Sequence, residues 1–232
     1  MVYRRHGKFI VIEGNEGAGK TIQAELLSKR LREQCPDREV ISTSEPWKSE
    51  QSPVGNRIRR ILGRQVQEID PGDGEIKPVK FQTMYIADRY IHWVKLILPE
   101  VENGSIVISD RERLTTYAFG LASGIPLETM VNWHRLLPLP DLIIYIRVST
   151  KTSLKRLEAR PDKVEIHDND KFVNKAHKAY EYLVKNDVMA NIVVVDGEGT
   201  IEEVHEKVWE AVRKLVEDSG VCKLTRLEDS FL

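Results

Sequence analysis

Three groups of residues have types and spacings suited to moving a phosphoryl group. Gly14-Asn15-Glu16-Gly17-Ala18-Gly19-Lys20-Thr21 fits G-x-x-x-x-G-K-[ST] and follows a short apolar run, Phe9 to Ile12. In that pattern the glycines let backbone N–H groups converge on phosphate oxygens. Lys20 adds a positive charge, and the Thr21 hydroxyl helps hold Mg²⁺. Asp110 ends a second apolar run, Ile106–Ser109. An acid in that position commonly starts a turn, but opposite a phosphate loop it is also the pattern that supports Mg²⁺. Arg111 beside it is placed to neutralise phosphate charge. Tyr85 and Arg89 are four apart and share a helix face. They suit a base-stacking ring and a donor to a base carbonyl, and equally a core aromatic and an arginine that is solvated or paired with the adjacent Asp88.

These residues need elements to hold them. Gln23–Gln34 is an amphipathic helix with Ala24, Leu27 and Leu31 on one face, stopped by Cys35-Pro36. Its N-terminus and dipole favour anions at the loop. Glu39–Thr43 reads as a strand, Val54–Leu62 as a helix, and Gln65–Pro78 as a turn-rich excursion. Val79–Val101 is one long helical pattern. A helix begins near Thr115, another spans Leu127–Leu137, and Asp141–Val148 is a buried strand. Ser149–Arg160 is a helix, followed by the charged connection Pro161–Asp170. Phe172–Asn186, Asn191–Val195 and Ile201–Val216 complete the chain as helix, strand and helix. Short apolar strands alternating with amphipathic helices predict one α/β domain, a parallel sheet covered on both faces. Ligands of such sheets sit at the carboxyl ends of the strands, where Gly14, Glu45 and Asp110 all fall.

Composition narrows the classes. The chain has 232 residues and a formal net charge of −1, with 31% charged residues. That balance makes no global electrostatic case for nucleic acid or a membrane surface, and no apolar run approaches spanning length. Cys35 and Cys222 are far apart and lack metal-ligand spacing, which predicts two reduced thiols in a cytoplasmic protein. Val193-Val194-Val195-Asp196-Gly197-Glu198-Gly199 matches a D-x-x-G switch, yet no later N-K-x-D follows to read guanine. Asp196-Gly197 therefore reads as a turn after the last strand.

With these motifs in hand, the chain resembles the thymidylate kinase family over nearly its whole length. The resemblance is carried by Glu13–Thr21, Thr43–Pro46, the A-D-R-x-x-H piece Ala87–His92, Val107-Ile108-Ser109-Asp110-Arg111, Pro140-Asp141-Leu142 and Phe172–Leu183. It implies a P-loop kinase fold: a five-stranded parallel sheet wrapped by helices, with a mobile lid at about 160–171, and usually a homodimer. The implied activity is transfer of the γ-phosphoryl group of Mg·ATP to dTMP. By position, Gly14 through Thr21 bind ATP, with Lys20 on its phosphates, Glu16 near the transferred group, and Thr21 and Asp110 on Mg²⁺. Glu45, Arg59, Tyr85, Arg89, Arg111 and Thr115 surround the acceptor. Some members carry a catalytic arginine inside the loop; here that position is Gly17, so the resemblance points to a lid arginine, Arg160, with Lys163 behind it and Arg156 along the adenine. The alternative for these three is a solvated helix end.

Departures from the family bear on the acceptor. The usual arginine before Glu-Pro is Ser44, with Lys48 as a possible replacement charge. Glu112 follows Asp110-Arg111 and adds a negative charge beside an anionic site. The family's A-Y-Q reads Ala118-Phe119-Gly120. Two alternatives to a dTMP kinase follow: a deoxynucleoside kinase, whose acceptor lacks a phosphate, and a non-catalytic nucleotide-binding relative.

Overall fold

A computed structural model describes residues 6–63, 65, 77–159, 167, 170–222 and 224. The turn-rich excursion after Leu62 falls largely outside them. Five strands form one parallel sheet in the order β2-β3-β1-β4-β5: β1 Lys8–Glu13, β2 Val40–Ser44, β3 Ile106–Asp110, β4 Leu142–Arg147 and β5 Ile192–Asp196.

Alternation along each strand divides the core. Ile10 and Ile12 of β1, with Ile106, Ile108, Leu142 and Ile144, point to the face covered by α1 (Lys20–Gln34) and α9 (Ile201–Asp218). Leu27 and Leu31 of the first helix and Val208 and Val212 of the last complete that layer. Phe9, Val11, Val107, Ile143 and Tyr145 point the other way. There they meet α5 (Arg113–Ala122), α8 (Asp170–Lys185) and the long helical segment after residue 78. A smaller cluster joins α2 (Pro53–Leu62) to α3 (Pro78–His92) through Ile58, Ile61, Phe81 and Tyr85. Both faces of the sheet are thus buried, which is why the central strands carry almost no polar residue.

The register brings the strand ends level. Ile12 and Ser44 both pair with Asp110, and Glu13 pairs with Tyr145. The residues leaving β1, β2 and β3 therefore emerge side by side at one edge of the sheet.

Two expectations change. The long helix expected over Val79–Val101 is α-helical over Pro78–His92, a π turn over Trp93–Ile97, and α4 over Leu98–Glu102. The Leu98 N–H donates to Trp93 O, five residues back, and Pro99 has no N–H to extend the ordinary ladder. The second correction concerns the cysteines. Cys35 and Cys222 form a disulfide, with Cα atoms 5.7 Å apart across 187 residues of sequence. The chain beyond α9 returns to the C-terminal end of α1, where Arg38 Nε donates to Val221 O at 2.7 Å. Sequence distance concealed that return, and the cysteines no longer argue for a reducing compartment. Among the described residues, no helix is long and apolar enough to cross a membrane.

Candidate active site

The loop between β1 and α1 is held in shape before any ligand arrives. Gly19 sits at φ 89° and precedes α1 without a side chain to cap it. By contrast Ser52, Ser149 and Thr200 cap α2, α7 (Thr150–Glu158) and α9 with their own oxygens. The first N–H groups of α1 are thus left to an anion. Lys20 folds back so that Nζ donates to Asn15 O at 2.7 Å. Burial lowers its pKa to about 8, although Glu16 and Asp110 oppose that shift. Asn15 donates to Val173 O of α8 at 3.0 Å, and the Ser153 hydroxyl of α7 donates to Glu16 O.

Gly17 has φ 73°, and a Cβ there would lie 2.6 Å from Ser153 O. A loop arginine at this position is excluded by α7, so the missing side chain has a steric cause. Arg156 of α7 lies over the same rim, donating to Gly197 O at 3.0 Å and to Gly17 O at 3.5 Å. Arg160 and Lys163 lie outside the described residues.

The end of β3 meets this loop directly. Thr21 Oγ1 donates to Asp110 Oδ2 at 2.5 Å, while Asp110 Oδ1 is buried without a hydrogen-bond partner. Arg111, at φ 74°, turns its guanidinium back over the loop. It donates to Glu16 Oε1 at 2.6 Å, Thr115 Oγ1 at 3.1 Å and Gly14 O at 3.3 Å, and lies 5.5 Å above the Phe119 ring. Burial opposes its charge, but Glu16, Tyr180, Asp110 and Glu13 together outweigh it and the pKa rises.

Glu13, the last residue of β1, caps a different helix. Its carboxylate accepts from the N–H groups of Glu112 and Thr115 at the start of α5, and from the Thr115 hydroxyl at 2.5 Å. Burial pushes its pKa up to about 7 against those bonds. Thr115 also lies 2.8 Å from the Tyr180 hydroxyl. This capping role was not apparent from sequence, although an acid at the end of an otherwise apolar strand is the signal that marks it.

On the acceptor side a buried polar cluster ties five elements together. Arg89 Nε donates to Glu45 Oε2 at 2.7 Å, and its Nη1 donates to Thr116 Oγ1 at 3.1 Å and to His134 Nε2. Asp88, next to it on α3, accepts from Trp47 N at 2.7 Å and from the Ser52 hydroxyl. Of the two readings of Arg89, the ion pair is present, but with Glu45 rather than the neighbouring Asp88. Glu45 also faces His92 Nδ1 at 3.3 Å, and Trp47 stacks on His92 with centroids 4.9 Å apart. Tyr85 is mostly buried and edges against Phe81 at 5.3 Å.

Two departures noted in the sequence take on physical form. Glu112 does not face the anionic site. It is buried between Arg113 Nε at 2.7 Å and Arg89 Nε at 3.4 Å. Burial would raise its pKa, but the two arginines hold it well below the usual carboxylate range. Ser44 accepts from Arg59 Nη2 at 2.9 Å, so an arginine does stand at that place, supplied by α2. Lys48 is exposed on the loop after β2. Gly120 makes room for Met130, whose Sδ would lie 2.0 Å from a Cβ at that position.

His134, on α6 (Leu127–His134), carried no signal in the sequence. It is fully buried, and His167 lies over Phe172 at 4.2 Å between ring centroids. Among the described residues, no group of three His, Cys, Asp or Glu side chains could hold a metal alone.

Comparison with known proteins agrees with this arrangement. The family model described as Thymidylate kinase matches residues 12–208. A protein of Thermococcus gammatolerans named "Probable thymidylate kinase" is 32% identical over 87% of this chain and 94% of its own length. The "Thymidylate kinase" of Caldicellulosiruptor saccharolyticus is 32% identical over 91% of this chain and 97% of its own. That of Mycoplasma mobile is 27% identical over 90% and 99%. With the loop, the Asp110 strand end and the Arg89 helix all inside the matched span, the chain belongs to the thymidylate kinase family.

Proposed function

We infer that the protein transfers the γ-phosphoryl group of ATP to dTMP, giving dTDP and ADP. The observation that supports this best is the meeting of a phosphate loop with Asp110-Arg111 at one strand edge, opposite Arg59 and Arg89. Donor phosphates fit the open N–H groups of α1 and Lys20, and Arg156 fits the adenine side of the same rim. Arg111 and Arg59 suit the acceptor phosphate, and Tyr85, Arg89, Glu45 and Thr115 suit the rest of the nucleotide. Phosphoryl transfer asks mainly for alignment and charge neutralisation, which these groups supply.

Mg²⁺ fits the site: Thr21 and Asp110 would hold it, and the unpartnered Asp110 Oδ1 is a ready acceptor for it or its water. When bound, the ion would supply positive charge to neutralise the donor phosphates. Lid catalysis by Arg160 rests on the absence of a loop arginine at Gly17. A homodimer rests on the family resemblance, and exposed Leu136 and Leu139 offer apolar surface for it. A cytoplasmic location rests on the substrates alone. The expectation of no nucleic-acid or membrane partner rests on the balanced charge.

ADP release measured with dTMP, dUMP, dCMP, dGMP and thymidine as acceptors tests the reading. Turnover is expected with dTMP foremost. Phosphorylation of thymidine but not dTMP would instead assign a nucleoside kinase, and ATP binding without transfer to any acceptor would assign a non-catalytic protein.

A further inference from the structure

We propose that His134 is a positioning residue that aims the Arg89 guanidinium and thereby sets selectivity for a pyrimidine carrying a carbonyl at its 4-position. The inference rests on Arg89 facing the acceptor base. His134 comes from α6, an element with no other residue in the site, and its side chain is fully enclosed.

The ring's two nitrogens have divided roles. Nδ1 faces Met130 O at 2.7 Å, a carbonyl that can only accept, so Nδ1 carries the proton. Nε2 is then left with its lone pair toward Arg89 Nη1, and a guanidinium can only donate. Burial, with the Arg89 charge adding to it, lowers the His134 pKa to about 3, so the ring is neutral at physiological pH. A protonated ring would place two donors face to face.

A count of donors shows what the ring achieves. A guanidinium has five N–H groups. Nε–H goes to Glu45 and the two on Nη1 go to Thr116 and His134, while Nη2 lies 2.5 Å from Glu45 Oε2 in the same ion pair. With Nε, Nη1 and the Glu45 side of Nη2 committed, the outward side of Nη2 is held in one direction by partners on β2's exit, α5 and α6. A fixed N–H donates to a base carbonyl, whereas it meets an exocyclic amine donor to donor. Glu45 alone would hold one side of the fork and allow the plane to pivot. His134 blocks that motion without adding a third negative charge to a cluster in which Arg89 and Arg113 already face Glu45 and Glu112.

The test compares dUMP with dCMP, which differ at the 4-position, in the wild type and in His134→Leu, His134→Gln and Arg89→Lys. His134→Leu is expected to raise KM for dUMP roughly tenfold and to reduce the dUMP-over-dCMP preference in kcat/KM by a similar factor. KM for ATP should stay within about twofold. His134→Gln keeps an acceptor oxygen and should recover most of the preference. Unchanged selectivity in His134→Leu, with Arg89→Lys defective, would overturn this inference and leave the acceptor reading standing. Unchanged KM for dUMP in Arg89→Lys would overturn the acceptor reading of Arg89 itself, and this inference with it. Equal losses for ATP and acceptor in both His134 variants would assign the residue to folding alone.

Discussion

Lys20 illustrates how one side chain can be tuned by its surroundings. Its ammonium is buried, bonded to Asn15 O, and pushed down to about pKa 8. A cation whose pKa is lowered is fully charged only below that value, so the free enzyme loses this charge as pH rises through 8. ATP affinity should therefore weaken by roughly tenfold between pH 7 and pH 9, following the neutralised fraction. Calorimetric titration at the two pH values checks this, and Lys20→Met should show no such slope. Lys20→Ala should lower kcat by about 10²–10³-fold with circular dichroism unchanged, since the side chain serves charge rather than packing. Retention of near-normal kcat would remove the loop from the mechanism.

At the scale of elements, the site rests on buried charges that neutralise one another. Glu112 sits at the junction of β3 and α5 and neutralises Arg113 and Arg89 together. Glu112→Gln keeps its shape and removes its charge, leaving two buried cations with one fewer counter-ion. It should cost about 3–5 kcal/mol of folding stability, read from urea midpoints at unchanged m. Gly120 belongs to the same helix and owes its identity to Met130. Gly120→Gln should destabilise by about 1–3 kcal/mol through overpacking, and adding Met130→Ala should recover part of the loss. The site's polar neighbours and its packing neighbours are thus one structure.

Across the whole molecule, the proposed phosphate site and the disulfide lie at opposite ends of α1. Its first turn opens the phosphate loop, while Cys35, just past its last turn, is tied to Cys222. Fifteen helical residues separate the two ends, a rise of about 22 Å. Reduction, or Cys35→Ser, should lower stability by roughly 2–5 kcal/mol, because the bond closes a long loop of the unfolded chain. At 25 °C kcat should change little, which a coupled assay with and without reductant checks. Sedimentation of the oxidised protein tests the proposed homodimer, and a monomer at assay concentrations would count against it.

Periodicity and spacing alone determined the layered α/β fold, the order of its elements and the phosphate-binding loop. Those signals are local: a strand alternates over a few residues, and a phosphate loop is one contiguous segment that must carry its own glycines. The meeting of Asp110 with the loop was legible too, because Asp110 ends its own strand and accepts from Thr21. What only the tertiary structure decided is who neutralises whom. Glu112 was expected beside the anionic site, and it turned inward because Arg113 and Arg89 converge on it from α5 and α3. Ser44 stood as a missing arginine until α2 delivered Arg59 to it. His134 and the Cys35–Cys222 bond left no trace in the chain. Each depends on partners dozens of residues away, and a buried charge or thiol takes its meaning from those partners rather than from its sequence neighbours.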